Sequence, residues 1–359
     1  MSKTVIGLAI LVAASGTVVH SPTDTYTICS MVSVGGNGAV NTAISRNLNP
    51  REVNCTTGVL VALKCGTADQ TDLYAQEAQY LASLKQESWA LRLHEHFIVM
   101  DDSKAPCIAT ELLGRDLEKI RLAYNQRQKW SWVTLGSIGA RMIEAVESLH
   151  KKYNLVHRDL HAGNWMLTRV AGLEDLTPTL KMIDFGDCRP LEGDEVLSRD
   201  FYAFEDLKQV IISIRYLFDG NFAFYAWKRY KFNHQEICNG IHPRLCKALL
   251  YVRDLKEGDV INYAALHEMM VRLVEDSGTH KYTGSVIWGP VEALYGPPRF
   301  TDKISAPKPE LPSPAAKAEL YGSEDESLQG GQLLPSYSKE GISPAARLII
   351  VALLLIIAM

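Results

Sequence analysis

The chain has 359 residues, of which 47% are hydrophobic and 22% charged, and its formal net charge is −4. This length accommodates one large domain with additional segments, and the composition is that of a globular protein with a substantial core. The small negative charge gives no electrostatic reason to expect a nucleic-acid partner. The seven cysteines are scattered and include no C-x-x-C pair. They are predicted to be mostly reduced core residues rather than metal ligands.

An apolar, uncharged run occupies residues 5–19, behind Lys3. A basic start, an apolar stretch and small residues together outline a signal peptide. Residues 1–21 are therefore interpreted as an N-terminal segment that is a signal peptide or an anchor. The alternative is a buried strand or helix of the domain that follows, which is predicted to cover residues 22–300.

A glycine-rich turn and an apolar strand come next. The turn is Ser33-Val34-Gly35-Gly36-Asn37-Gly38-Ala39-Val40, and the strand contains Val61-Ala62-Leu63-Lys64. Glycine lets a backbone turn and approach a ligand closely, although a glycine cluster alone usually marks a turn. After the strand, apolar residues recur at helical spacing and predict a helix that carries Glu77.

A second apolar strand, Ile108-Ala109-Thr110-Glu111-Leu112-Leu113, runs into Gly114 and a charged helix start at Asp116-Leu117. Further along, one apolar face predicts a long helix that ends just before residue 157. Its members are Leu135, Ile138, Met142, Ile143, Val146 and Leu149.

The most informative segment is His157-Arg158-Asp159-Leu160-His161-Ala162-Gly163-Asn164, which is followed by Asp184-Phe185-Gly186. These residues offer a base for a hydroxyl, and an amide and a carboxylate that can ligate a metal ion. Phosphoryl transfer needs those groups. Both segments match, in order, the protein-kinase catalytic loop H-R-D-L-x-x-x-N and the D-F-G motif.

The chain therefore resembles the protein-kinase superfamily over residues 26–295, and Leu112-Leu113-Gly114 with Asp116-Leu117 is similar to the casein-kinase-one and vaccinia-related kinase clan. The resemblance implies an α+β, bilobal protein-kinase-like fold with a small β-rich N-lobe and a helical C-lobe. It also implies an ATP-dependent kinase that transfers the γ-phosphate to Ser or Thr hydroxyls of protein substrates.

The same resemblance assigns residues to the site. Asp159 would accept the proton of the substrate hydroxyl, and Asn164 and Asp184 would hold Mg²⁺. Lys64 would contact the α- and β-phosphates, with Glu77 as its acidic partner. The residues expected to bind ATP are Ser33, Gly35, Gly36, Gly38, Val40, Ala62, Lys64, Glu77, Thr110, Glu111 and Leu113.

Two further residues are assigned in the same way. His157 is expected to pack and form hydrogen bonds rather than transfer protons. Asp206, at the start of a helix with an apolar face, is expected to accept backbone hydrogen bonds from the catalytic loop.

The chain departs from the family pattern in three places. Ser33 replaces the first glycine of the turn, and no A-P-E follows Asp184, so the segment that docks a peptide substrate is short. His161, counted among the catalytic residues, stands where Ser/Thr kinases usually have a lysine that contacts the transferring phosphate. Because histidine is mostly neutral at pH 7, weaker stabilisation of that phosphate is expected.

Two other functions compete with the protein kinase. One is a small-molecule phosphotransferase of the aminoglycoside-kinase type, because H-x-D-L-H-x-G-N also resembles those enzymes. The other is a pseudokinase that acts as a binding module. A pseudokinase is expected to lack one of the key residues, and all are present: Lys64, Asp159, Asn164 and Asp184.

The end of the chain has a different composition. Residues 301–344 are rich in Pro, Ser and Gly and are predicted to form a disordered tether. Residues 345–359 are largely apolar and are a candidate membrane anchor, with a helix docked on the protein itself as the alternative. The expected location is a membrane, with the kinase domain facing the cytosol, or the secretory pathway if residues 1–20 are a signal peptide.

Overall fold

The computed structural model describes residues 15–35, 38–49, 54–123, 129–168, 179–191, 203–220, 238–256, 258–278, 280–284 and 286. The chain divides into Met1–Ile304 and Ser305–Met359, and all described residues belong to the first unit. The predicted tether at 301–344, the candidate anchor at 345–359 and Gly36 lie outside the described residues.

A six-stranded antiparallel sheet is built from the first part of the unit. Its strands are β1 (Val18–His20), β2 (Thr25–Gly35), β3 (Gly38–Ser45), β4 (Leu60–Cys65), β5 (Leu93–Ile98) and β6 (Pro106–Glu111). The spatial order is β1-β2-β3-β4-β6-β5. In β4 the residues alternate between the two faces, so Val61 and Leu63 are buried in the core whereas Lys64 lies on the opposite face.

Within the described residues six helices accompany the sheet, namely α1 (Thr71–Ser83), α2 (Leu117–Ala123), α3 (Trp132–Tyr153), α4 (Ala203–Asp219), α5 (Pro243–Asp254) and α6 (Tyr263–Glu275). Four short strands form two antiparallel pairs, β7 (Leu155–Val156) with β10 (Arg189–Pro190) and β8 (Trp165–Leu167) with β9 (Leu180–Met182). The fold class is α+β, as the sequence predicts.

The predicted apolar face on residues 135–149 is the buried face of α3. Ser131 caps the start of this helix by accepting a hydrogen bond from the Thr134 amide, and Asn154 ends it in the left-handed conformation. The helix α3 packs against α4 and α6. Strand β7 follows directly and leads into residues 157–164, the loop predicted to be catalytic and here called the catalytic loop, so the helix fixes where that loop begins.

The end of the apolar N-terminal run belongs to the sheet. Val18–His20 pairs with β2, and Val19 is buried in the core. The boundary predicted between residues 21 and 22 therefore falls directly after the edge strand β1, while residues 1–14 lie outside the described ranges. No described helix is both long and apolar enough to cross a bilayer.

The prediction of mostly reduced cysteines is wrong. All seven cysteines lie in the described ranges, and six of them form the disulfides Cys29–Cys55, Cys65–Cys107 and Cys238–Cys246, which leaves Cys188 as a buried free thiol. The partners in the first two bonds are 26 and 42 residues apart. Strand pairing places Cys65 directly opposite Cys107, a relation that sequence spacing does not reveal.

Candidate active site

A cavity of about 310 Å³ brings most of the predicted nucleotide residues together. The predicted residues that line it are Ser33, Val40, Ala62, Lys64, Glu77, Thr110, Glu111, Leu113, Asn164 and Asp184. This volume lies within the range of small-molecule sites, and apolar walls with a few charged groups are their usual lining. Residues from six separate stretches of sequence therefore meet around one cavity.

Lys64 lies at the centre of an ion-pair network in this cavity. Its Nζ is 2.8 Å from Glu77 Oε2 and 3.0 Å from Asp184 Oδ1. Glu77 is the predicted partner on α1, and this pairing is confirmed. Glu87, the other glutamate near that helix, instead contacts Lys152 and Tyr153.

The network keeps Lys64 and Asp184 charged. Burial acts to lower the pKa of Lys64, but the carboxylates of Glu77 and Asp184 outweigh it and hold the pKa above its usual value. Burial acts to raise the pKa of Asp184, and the neighbouring Lys64 ammonium outweighs it and lowers that pKa. At neutral pH the cavity therefore presents a fixed ammonium group beside an ionised carboxylate.

Asp159 and Asn164 contact each other in the catalytic loop. The Asn164 Nδ2 donates to the Asp159 carbonyl oxygen at 2.8 Å and to Asp159 Oδ2 at 3.1 Å. The amide therefore orients the carboxylate that is predicted to accept a proton. Its own oxygen is left as an uncharged ligand atom.

His161 lies beside the same carboxylate, with Nε2 3.6 Å from Asp159 Oδ2. Its Nδ1 accepts a hydrogen bond from the Gly163 amide at 3.0 Å. Because an accepting nitrogen carries no proton, the hydrogen of the neutral ring belongs to Nε2, on the side of Asp159. A side chain at Gly163 would place a Cβ only 2.7 Å from the His161 ring and 2.8 Å from Glu118 Oε2, so any larger residue here would displace one of these side chains.

Helix α4 holds the catalytic loop in place through hydrogen bonds. Asp206, which is fully buried, accepts hydrogen bonds from the amides of His157 at 2.7 Å and Arg158 at 2.8 Å. This confirms the role predicted for it. Arg158 has a φ of 76°, in the left-handed region, so these bonds stabilise a backbone conformation that an arginine rarely adopts.

Gln209, which the sequence did not single out, completes that support. Its Oε1 accepts from the Leu160 amide, and its Nε2 donates to the Arg158 carbonyl oxygen at 3.0 Å. The only signal in the sequence is its position one helical turn after Asp206, on a helix whose remaining buried face is mainly apolar.

His157 has the structural role predicted for it. The ring is fully buried, packs edge-on against Phe185 and lies with Nε2 3.0 Å from the Ile183 carbonyl oxygen. Burial lowers its pKa, so the ring is neutral at pH 7 and Nε2 is the donor. It therefore links the catalytic loop to the segment that carries Asp184.

Glu111 lines the cavity, while its side chain is held by contacts within the protein. Its carboxylate pairs with Lys181 at 2.8 Å and accepts a hydrogen bond from the Arg92 amide at 2.8 Å. The side chain is thus engaged within the protein, which leaves the backbone of this stretch to meet a ligand. Lys181 on β9 was not predicted.

The glycine-rich turn also differs from expectation. Gly35 and Gly38 form the closing pair of the β2–β3 hairpin and are not among the described residues that line the cavity. Gly38 has a φ of 121°, and a Cβ there would collide with the Tyr74 hydroxyl and the Cys65 carbonyl oxygen. In the described structure this glycine is needed for packing against α1 and β4.

Asn164 and Asp184 are the residues suited to a metal ion. Their free atoms are an amide oxygen and the carboxylate oxygen that is not paired with Lys64, and Mg²⁺ prefers such oxygen ligands. No cluster of three or more His, Cys, Asp or Glu exists in the described part of the chain. Two protein ligands suit Mg²⁺, which commonly completes its coordination with water and substrate phosphates.

Neither the models of known protein families nor the curated proteins contain a match to this chain.

Proposed function

We propose that the chain is an ATP-dependent protein kinase that transfers the γ-phosphate to Ser or Thr hydroxyls. In this proposal the six-stranded sheet with α1 forms a small N-lobe, and helices α2 to α6 form a larger C-lobe. The observation that supports it most is the contact of Lys64 with both Glu77 and Asp184, since Asp184 is 120 residues away in sequence. These three residues line the same cavity as Asn164.

The cavity suits a nucleotide. Val40, Ala62 and Leu113 provide apolar walls for a flat base, and Lys64 provides a positive charge for phosphate oxygens. Because Lys64 is already fixed by two carboxylates, binding does not have to order it. When bound, Mg²⁺ would be held by Asn164 and Asp184 and would neutralise phosphate charge.

Asp159 is placed to act on the acceptor. Its carboxylate, oriented by the Asn164 amide, takes the proton of the substrate hydroxyl. The hydroxyl oxygen then bonds to the γ-phosphorus, the bond from that phosphorus to the β–γ bridging oxygen breaks, and ADP leaves with the electron pair. His161, with its hydrogen on Nε2, can donate a hydrogen bond to the transferring group beside Asp159.

The role of His161 can be tested by His161→Lys. A permanent positive charge stabilises the transferring phosphate better than the hydrogen bond of an imidazole N–H does, so kcat at pH 7.5 should rise about fivefold. His161→Ala should lower it. If the lysine variant loses activity as the alanine variant does, the essential property of His161 is its hydrogen bond to Gly163.

The choice between protein and small-molecule acceptors needs a direct experiment. Full-length protein with Mg²⁺ and γ-labelled ATP should label Ser and Thr residues of generic protein substrates such as casein or basic peptides. Aminoglycosides and other small hydroxyl compounds serve as the matched acceptors. Label found only on the small molecules would establish the phosphotransferase alternative, and no consumption of ATP with any acceptor would favour the binding module.

We further infer that the described domain matures in an oxidising compartment rather than in the cytosol. Three disulfides among seven cysteines support this, because such bonds are rare where thiols are kept reduced. The apolar run at 5–19 is consistent with entry into the secretory pathway. ATP and the protein substrate would then have to be present on that side of the membrane.

Membrane attachment through residues 345–359 stays part of the proposal. Removal of these residues is expected to move the protein from the membrane fraction to the soluble fraction without lowering its activity on a soluble peptide. The control is the same fractionation after removal of residues 1–14. A full-length protein that is entirely soluble would contradict attachment.

A further inference from the structure

Arg189 on β10 reaches the helix that carries Glu77. Its Nη1 donates to Gln76 Oε1 on α1 at 3.0 Å and to the neighbouring Cys188 carbonyl oxygen at 2.6 Å. Gln76 in turn donates to the Tyr80 hydroxyl at 3.3 Å, and Tyr80 also interacts with Arg189. The three side chains form a polar cluster between α1 and the segment that follows Asp184.

The cluster lies where the position of α1 decides whether Glu77 can reach Lys64. Gln76 is the residue directly before Glu77, and the turn Phe185–Asp187 packs against the same helix. Beyond the end of α1, Glu87 contacts Lys152 and Tyr153 at the end of α3. The helix is thus held near its end by Glu87 and in its middle by Arg189.

The strand that carries Arg189 is itself fixed. Arg189 lies opposite Val156 in the β7–β10 pair, and β7 directly precedes the catalytic loop. A hydrogen bond to a charged donor is stronger than one between neutral groups, and this one joins residues 113 positions apart. It therefore connects the orientation of α1 to the catalytic loop.

We propose that Arg189 is a positioning residue, whose bond to Gln76 holds α1 with Glu77 in reach of Lys64. The proposal rests on the kinase function proposed above. The side chain of Arg189 donates to Gln76 and Cys188, neither of which is among the described residues that line the cavity, so its effect on transfer is exerted through α1. Breaking the bond should free α1 and weaken the Glu77–Lys64 pair without removing any group that touches ATP.

The test compares Arg189→Ala, Gln76→Ala, the double variant and the conservative Arg189→Lys. Arg189→Ala should speed hydrogen exchange of the α1 amides and lower kcat/KM for ATP by about tenfold. Gln76→Ala should change both readouts in the same direction. The double variant should lose no more activity than the more affected single variant, because both substitutions remove the same hydrogen bond. Arg189→Lys should restore part of the activity.

The control is Arg253→Ala, which removes an exposed ion pair with the adjacent Asp254 on α5 and should leave both readouts unchanged. Unchanged α1 exchange in Arg189→Ala, faster exchange with full turnover, or additive losses in the double variant would each overturn the proposal. Absence of phosphoryl transfer by the wild type would contradict the kinase function instead. The exchange measurement on α1 would still decide whether Arg189 holds the helix.

Discussion

Asp184→Asn is expected to lower phosphoryl transfer by about a thousandfold or more while the protein stays folded. The substitution replaces the charged carboxylate by an uncharged amide of similar size and leaves the Lys64–Glu77 pair in place. The carboxylate it removes is one of the two proposed Mg²⁺ ligands. Transfer is measured with labelled ATP on protein whose fold is checked by its thermal unfolding temperature.

Lys64→Met is expected to lower phosphoryl transfer to the same degree, and it should also lower the free energy of unfolding. It leaves Glu77, which is only 3% exposed, without its positive partner. The double variant Lys64→Met/Glu77→Gln removes both charges and should recover stability without recovering turnover. Lys247→Met, on an exposed position of α5, is the matched control and should behave as wild type.

A double variant that recovers turnover together with stability would show that Lys64 serves the fold alone. Wild-type turnover in folded Asp184→Asn would remove the mechanism proposed here.

Loss of the Cys65–Cys107 disulfide is expected to cause the largest change in stability. The bond closes a loop of 42 residues, and the chain-entropy account gives about 4 kcal/mol for such a loop. Cys238–Cys246, which spans only 8 residues, should contribute about 2.5 kcal/mol by the same account. Chemical denaturation of Cys65→Ala/Cys107→Ala and Cys238→Ala/Cys246→Ala measures both values.

Counting thiols tests the disulfides independently. In denaturant without a reductant, only Cys188 should react with iodoacetamide, and after reduction all seven cysteines should react. The protein should be isolated from cells that secrete it, because a cytosolic host can leave the pairs reduced. Seven reactive thiols in protein from such cells would contradict both the disulfides and the oxidising compartment.

Short motifs predicted the site well because their residues have fixed local spacing. Lys64, Asn164 and Asp184 could each be read from a few neighbouring letters, and the cavity brings them together. Glu77 and Asp206 could be predicted because each belongs to a segment whose apolar residues recur at helical spacing. The α+β class was implied by the resemblance to protein kinases, and the strands and helices confirm that class.

The contacts that sequence reasoning missed are set by pairing between distant segments. Cys65 and Cys107 meet only through the register of β4 with β6, and Lys181 meets Glu111 only after β9 has been placed. The packing role of Gly38 likewise depends on where Tyr74 of α1 lies. No local pattern carries that information.

A single-turnover experiment with Asp159→Asn tests most directly whether this site moves the γ-phosphate of ATP onto a hydroxyl. Wild-type protein with Mg²⁺ and γ-labelled ATP should transfer the label to a Ser or Thr residue. The variant should bind ATP with similar affinity but transfer the label about a hundred- to ten-thousandfold more slowly. Folded wild-type protein that neither binds nor consumes ATP, or a variant that transfers at the wild-type rate, would contradict the account.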